Sequence, residues 1–214
     1  MARIDDYRES FRIASEELQK LDVRQRARAA GADLLSFGDG SAGMRLHFLG
    51  ELYLVRLGDG VSISKEGKDD EVPLQEKVLL SHYLLHVTDT PSSGTPITYR
   101  QVPDGHFYFE AFQRRTRDPF LSTFGDKPEL FLRCARELGG IQTTAGDAGA
   151  TFQVLPRISV QLVLWAGDDE FPPEANILFE DGIQQSLSAE DIAVMTGMLV
   201  YRLMGIARRH QSEK

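Results

Sequence analysis

The chain of 214 residues holds a single cysteine, Cys134. One thiol excludes an internal disulfide framework, a four-cysteine zinc or iron–sulfur site and a Cys-x-x-Cys redox pair. Cys134 lies in the amphipathic run 130–135, where its expected role is a small buried hydrophobe. Positive charge is also short. Lysine and arginine number 24 against 32 acids, a formal charge of −8. Nucleic-acid binders neutralise phosphates with clustered cations, so nucleic acid is not an expected partner. No apolar run approaches the ~20 residues of a membrane span. The start, Met1-Ala2-Arg3-Ile4-Asp5-Asp6-Tyr7, lacks the apolar core of a signal peptide. The expected location is the cytoplasm, with no membrane partner. There is no Gly-x-Ser-x-Gly elbow, Walker loop or dinucleotide fingerprint, which disfavours most large enzyme classes.

What is present is an ordinary globular composition, 42% hydrophobic and 26% charged. That composition and length suit one well-buried core, and residues 1–214 are expected to form a single α+β domain. Residues 5–30 predict a long amphipathic helix. Tyr7, Phe11, Ala14, Leu18 and Leu21 recur at helical spacing, and Gly31 supplies a stop. A β-meander follows over 34–37, 44–48 and 53–57, with Gly-Asp-Gly and Leu-Gly-Glu turns. Residues 64–70 read as a charged, exposed segment and 74–87 as a helix. Residues 91–96 read as a loop, Tyr99-Arg100 as a brief strand, and 108–115 and 128–138 as helices. Residues 142–150 are loop-like. Strands at 151–155 and 158–165 are broken or bent at Pro156, and another strand covers 176–180. A buried terminal helix spans 189–209. Ser188 and Asp191 have capping-box spacing, Ile192, Met195, Leu199, Leu203 and Ile206 form its stripe, and Gly197 and Gly205 allow close packing. The polar tail 208–214, with His210, is expected to fray.

Three clusters carry chemistry. His82 and His86 are four apart on one helix, so their Cβ atoms lie ~6 Å apart on one face. With Lys77 and Ser81 on the polar side, both histidines are expected to face the apolar interior. There they would serve as ligands to a metal or cofactor, or as hydrogen-bonded core residues. The second cluster is Asp168-Asp169-Glu170, clamped between Trp165 and Phe171-Pro172-Pro173, with Glu174 and Asp181 farther on. These acids suit Mg²⁺ or Ca²⁺ coordination, acid–base chemistry against an aromatic wall, or the building of a tight turn, with Arg157 as a pairing partner. The third is Gln113-Arg114-Arg115-Thr116-Arg117-Asp118, with Tyr99-Arg100 upstream. It suits an anionic ligand or a solvated helix face.

Several segments together resemble a bacterial and archaeal family known as a domain of unknown function, DUF3786. They are Val78-Leu79-Leu80-Ser81-His82-Tyr83-Leu84-Leu85, Pro156-Arg157, Trp165-Ala166-Gly167-Asp168-Asp169-Glu170-Phe171-Pro172, Ala175-Asn176-Ile177-Leu178-Phe179 and Leu187-Ser188-Ala189-Glu190-Asp191. The resemblance spans about residues 5–204, and the tryptophan-to-proline segment is its specific part. It implies an anaerobic setting. In some members it implies fusion to a four-cysteine iron–sulfur domain of the kind found beside corrinoid proteins.

The leading expectation is a ligand- or cofactor-binding protein for a tetrapyrrole, a corrinoid or haem. His82 or His86 would be the ligand, and Tyr83, Trp165 and Phe171 the walls. Two alternatives stand beside it. One is an enzyme that uses Asp168, Asp169 or Glu170 as acid, base or divalent-metal ligands. The other is a non-catalytic interaction module, with a homodimer as one possible assembly.

Overall fold

A computed structural model describes residues 4–89 and 92–212. The expectations for Met1–Arg3, Pro91 and the last two residues of the tail lie outside the described residues. The chain divides into two compact units. The first comprises Met1–Pro91 with the short segments Leu155–Arg157 and Gln185–Leu187, and the second comprises the remainder. The fold is α+β, with two separate sheets.

The first unit begins with α1 (Ile4–Leu18) and α2 (Val23–Ala30). The helical stretch expected over 5–30 is there but interrupted, because Asp22 caps a new helix. Its Oδ1 accepts from the Gln25 amide at 2.8 Å. The interruption turns Leu21 out to solvent, while Ala14 and Leu18 stay buried. Gly31 ends α2 at φ +64°, and the Gly31 and Ala32 amides close the last carbonyls.

The meander that follows is antiparallel in the order β1 (Asp33–Ser36), β2 (Ala42–Phe48), β3 (Glu51–Leu57) and β4 (Val61–Lys65). Alternation sends Met44, Leu46, Phe48, Tyr53, Val55 and Ile63 inward. β4 reaches Lys65, so the segment expected to be an exposed loop from residue 64 starts as a paired edge strand. Lys65 is drawn in because its ammonium lies 3.0 Å from Glu51 and 3.8 Å from the buried carboxylate of Glu76. Glu76 also accepts from the Tyr53 hydroxyl at 2.7 Å.

Helix α3 (Leu74–His86) packs along α1 and α2. Tyr83 is fully buried. Its hydroxyl donates to the Ala30 carbonyl at 2.8 Å and accepts from the Arg157 amide at 3.1 Å. Arg26 caps the other end of this contact, giving Nε and Nη2 bonds to the carbonyls of Leu84 (2.7 Å) and Val87 (2.8 Å). A Cβ at Gly31 would lie 3.1 Å from Pro156 and 3.3 Å from the Arg157 guanidinium. The close approach thus joins the left-handed φ in asking for glycine.

The second unit contains a five-stranded sheet ordered β5 (Pro96–Thr98), β9 (Glu174–Glu180), β8 (Ile158–Trp165), β7 (Ala148–Leu155) and β6 (Ile141–Thr143). β6 and the start of β7 replace the loop expected over 142–150, since β6 pairs with Thr151, Ala150 and Gly149. Pro156-Arg157 forms the two-residue link between β7 and β8. Tyr99–Gln101 is a 3-10 turn rather than a strand, because the Gln101 side chain folds back onto the Thr98 amide.

Helices α4 (Gly105–Arg115), α5 (Arg117–Phe124) and α6 (Pro128–Glu137) follow, then the single turn α7 (Ile183–Ser186) and α8 (Ala189–Ser212). The sequence around Pro119 hides α5. Proline is tolerated there because it lies in the first turn, where its missing amide has no partner to lose. α8 is buried on most sides and contacts α4, α5 and α6. Its capping box closes as the spacing predicts, with Ser188 Oγ and Asp191 Oδ2 2.7 Å apart. Gly197 admits the Arg115 stem, but Gly205 meets no neighbour. The tail expected to fray stays helical to Ser212, tied by Arg209 and His210 to Glu137 at 2.7 and 2.9 Å. Phe120, Phe124, Phe131 and Cys134 are all fully buried. Burial pushes the Cys134 thiol up, away from thiolate chemistry.

Replacing Tyr83 with phenylalanine keeps the ring and removes both hydroxyl bonds, leaving a carbonyl and an amide without partners. Urea unfolding of Tyr83→Phe should show a loss of about 1–3 kcal/mol, whereas a loss below a few tenths would make the hydroxyl incidental.

Candidate functional site

On α3 the two histidines do not face inward as the wheel suggests. Apolar residues surround this helix, and Ser81 is buried instead, its hydroxyl donating to the Lys77 carbonyl at 2.8 Å. Satisfying that hydroxyl within the helix frees the serine face to pack, which rotates His82 to a half-buried position and His86 to solvent. Their ring centroids lie 6.5 Å apart. Tyr83, expected as a wall, is a core residue of the first unit. Trp165 and Phe171 belong to the second unit and are 40% and 68% exposed.

The acidic loop joins β8 to β9. Asp168 Oδ1 accepts from the amides of Glu170 (2.9 Å) and Phe171 (2.7 Å), and the Asp168 amide donates to the Phe171 carbonyl at 2.9 Å. The Phe171 and Glu170 amides hold the Asp168 carboxyl below the usual carboxylate range. That is opposite to the raised value a general acid needs. Asp169 and Glu170 point to solvent. Asp181 is engaged elsewhere, accepting from Ser92 and Ser93 at 2.6 and 2.7 Å. Arg157 pairs with none of these acids and reaches the Arg28 carbonyl at 3.4 Å. No group of three or more histidine, cysteine or acidic residues among the described residues could hold a metal ion.

The loop has a structural consequence. Its return is pinned where Pro173 packs against Gly125, just beyond α5. A Cβ there would lie 2.8 Å from the proline ring. This places Glu174 opposite Trp165 at the start of β9, beside a cleft of about 190 Å³. The cleft is lined by Tyr99, by Phe109, Phe112 and Gln113 of α4, by Arg117 of α5, and by Glu174, Ala175, Asn176 and Ile177 of β9.

Local sequence builds its aromatic wall. Asp104 takes φ +61° to start α4, and Gly105 lets that helix begin against the Tyr99 carbonyl, where any Cβ would lie 2.0 Å from the oxygen. The result is a parallel stack of Tyr99 on Phe112, centroids 4.0 Å apart. The Tyr99 hydroxyl donates to the Ala189 carbonyl, and burial pushes its pKa up to about 12, so it stays a neutral anchor. Arg100 covers Phe109 at 3.9 Å. Four polar residues line the cleft: Gln113, Arg117, Glu174 and Asn176, the last two alternating along β9 with the buried Ala175 and Ile177 and lying exposed on the other face of the strand. None of them makes a side-chain hydrogen bond or ion pair among the described residues.

The basic cluster is therefore divided by the fold. Arg114 lies on the surface 3.8 Å from Glu110, the Arg115 stem packs against Gly197, and only Arg117 reaches the cleft. Sequence reasoning singled out Arg117, Gln113 and Glu174 but missed Phe109, Phe112 and Asn176 as neighbours. The Asp104-Gly105 pair was the readable signal, marking a tight start to α4.

A family model described as a domain of unknown function, DUF3786, matches residues 22–202. The chain belongs to the DUF3786 family. No curated protein and no solved structure matches it. Among the segments by which the chain resembles DUF3786, Tyr83 and Arg157 meet in the first unit, while the tryptophan-to-proline loop leads directly into the cleft strand. No helix among the described residues is long and apolar enough to cross a membrane.

The Asp168 turn makes a prediction about pH. A carboxylate depressed in the fold stabilises it above the unfolded pKa of about 4, and that contribution fades as pH falls through the folded value. The stability gap between the native chain and Asp168→Ala should be constant near neutrality and shrink below about pH 4. A gap independent of pH down to the acid transition would show that the charge contributes nothing.

Proposed function

We propose that this DUF3786 chain is a small-ligand-binding protein whose ligand occupies the cleft between α4, α5 and β9. The observation that carries this reading is a cleft in which Gln113 and Arg117, neither with a side-chain partner among the described residues, lie beside an aromatic wall of Phe109 and Phe112. Small-molecule sites combine that kind of apolar lining with a few placed polar groups. Polar side chains beside an apolar wall lose part of their hydration, and a ligand that hydrogen-bonds to them restores it. The volume of about 190 Å³ is smaller than the roughly 300–1,000 Å³ of drug-sized sites, so the ligand has few atoms.

A fragment and metabolite screen by ¹H–¹⁵N NMR tests this reading. Binders should move the side-chain amide of Gln113 and the backbone amides of Ala175 and Ile177, and Gln113→Trp, which fills the cleft from α4, should abolish the backbone shifts. The substitution should change stability by no more than about 0.5 kcal/mol. Shifts that survive the tryptophan would place the binding elsewhere.

A second reading keeps a tetrapyrrole on α3. It is favoured by the exposed position of His86, four residues from His82 on the same helix. A macrocycle exceeds the α4–α5–β9 cleft, so this cofactor would lie on the helix surface. Titration with hydroxocobalamin and haemin should then change the visible spectrum of the native chain and not of a His82→Ala/His86→Ala variant. An equal change in both sinks this reading and leaves the cleft reading intact.

A further inference from the structure

Four aspartates in the chain precede a glycine: Asp39, Asp59, Asp104 and Asp181. An aspartate so placed can rearrange with no reagent but water. The main-chain nitrogen of the glycine attacks the carboxyl carbon Cγ, a C–N bond forms, and the amide hydrogen leaves with the carboxyl hydroxyl as water. The product is a cyclic succinimide. Water then adds at the main-chain carbonyl carbon and breaks the original peptide bond. The glycine stays linked through the side chain, as isoaspartate. One water is lost and one regained, and nothing is oxidised or reduced. Glycine favours the step because no Cβ shields its nitrogen. The fold decides the rest, since the carboxyl and the amide must both be free of hydrogen bonds. We infer that Asp59, alone among the four, is a site of isoaspartate formation in the folded chain.

Asp39 is the built-in control, because it and Asp59 are each the centre of a Gly-Asp-Gly triplet at a hairpin tip of the same sheet. Asp39 is tied down. Its carboxylate accepts from the Ser41 hydroxyl at 2.7 Å, from the Ser41 amide at 3.1 Å and from the Arg56 guanidinium. These partners favour the ionised form and hold its pKa down to about 2, away from the protonated form that loses water. The Gly40 amide is engaged as well, donating to the Phe37 carbonyl at 3.0 Å. Asp59 is exposed, and its carboxylate makes no hydrogen bond or ion pair among the described residues. The Gly60 amide is equally free, since Gly60 bonds only through its carbonyl, which accepts from the Gly58 amide at 3.0 Å. The remaining two pairs are engaged. The Gly105 amide donates to the Val102 carbonyl at 2.9 Å. Asp181 accepts from the Ser92 and Ser93 hydroxyls and from the Gly182 amide. Conversion at Asp59 would bear on the first unit. Isoaspartate adds one carbon to the main chain inside the short tip between the paired Leu57 and Val61. Tip length sets the register of a hairpin. The register of β4 keeps Ile63 in the core and Lys65 beside Glu76.

The test is to age the whole folded chain at neutral pH and physiological temperature in ¹⁸O-water. Trypsin then cuts after Arg45, Arg56 and Lys65, which puts Asp39 and Asp59 on separate peptides. Electron-transfer mass spectrometry tells isoaspartate from aspartate in each. Isoaspartate, carrying heavy oxygen, should build up at Asp59 roughly tenfold or more faster than at Asp39, the equilibrium factor for breaking one hydrogen bond to a charged group. Asp104 and Asp181 should also lag behind Asp59. In concentrated urea, where the fold is lost, the two Gly-Asp-Gly sites should convert at the same rate. Ser41→Ala, which removes one partner of Asp39, should raise conversion at Asp39 and leave Asp59 unchanged. Gly60→Ala, whose Cβ would meet nothing in the fold, should slow conversion at Asp59 alone. Conversion at Asp59 no faster than at Asp39 in the folded chain would overturn the inference. So would a difference between the two sites that persists in urea, because the fold would not be its cause.

Discussion

A buried hydroxyl has to find partners, and the first unit is arranged around the ones that Tyr83 finds. The ring sits in the apolar face of α3 with no exposure. Its oxygen is held between the carbonyl of Ala30, where α2 ends, and the amide of Arg157. An unpaired hydroxyl in that setting would be costly. The helix end and the Leu155–Arg157 segment must therefore both come to it. Gly31 permits that approach, and Arg26 fixes the end of α3 beside it. Burial raises the Tyr83 pKa, with the Arg157 amide opposing the shift, so the phenol remains a neutral donor at any ordinary pH.

Two of the segments by which the chain resembles DUF3786, the one around Tyr83 and Pro156-Arg157, meet in this contact. The segment around Ser81-His82-Tyr83 suggests a histidine site because imidazoles attract attention, yet the fully buried residue, hydrogen-bonded to two other segments, is the tyrosine between the histidines. The acidic loop shows the same displacement of roles. Its acids suggest a metal or a catalytic dyad, but Asp168 is consumed by two amides of its own turn. What the loop delivers is Glu174.

Much of the fold was legible in the sequence because its signals are local. The Asp-Gly turns, the glycine after α2 and the Ser188–Asp191 box each act within a few residues, and each element they bound is present. Long-range choices were not legible. Whether Ser81 or His82 turns inward depends on the serine bonding to its own helix, which a wheel does not weigh. Pairing of β6 with β7 depends on partners a hairpin apart in a stretch rich in glycine and threonine. The cleft was the least legible feature. Its lining comes from four separate elements, which no local signal in the sequence joins.

The central claim is that the cleft between α4, α5 and β9 is open to a small ligand. A crystal structure of the chain soaked in a fragment mixture tests it most directly. The account predicts ligand density beside Phe109, Gln113 and Arg117. A cleft closed by its own side chains, with nothing bound in any soak, would contradict it.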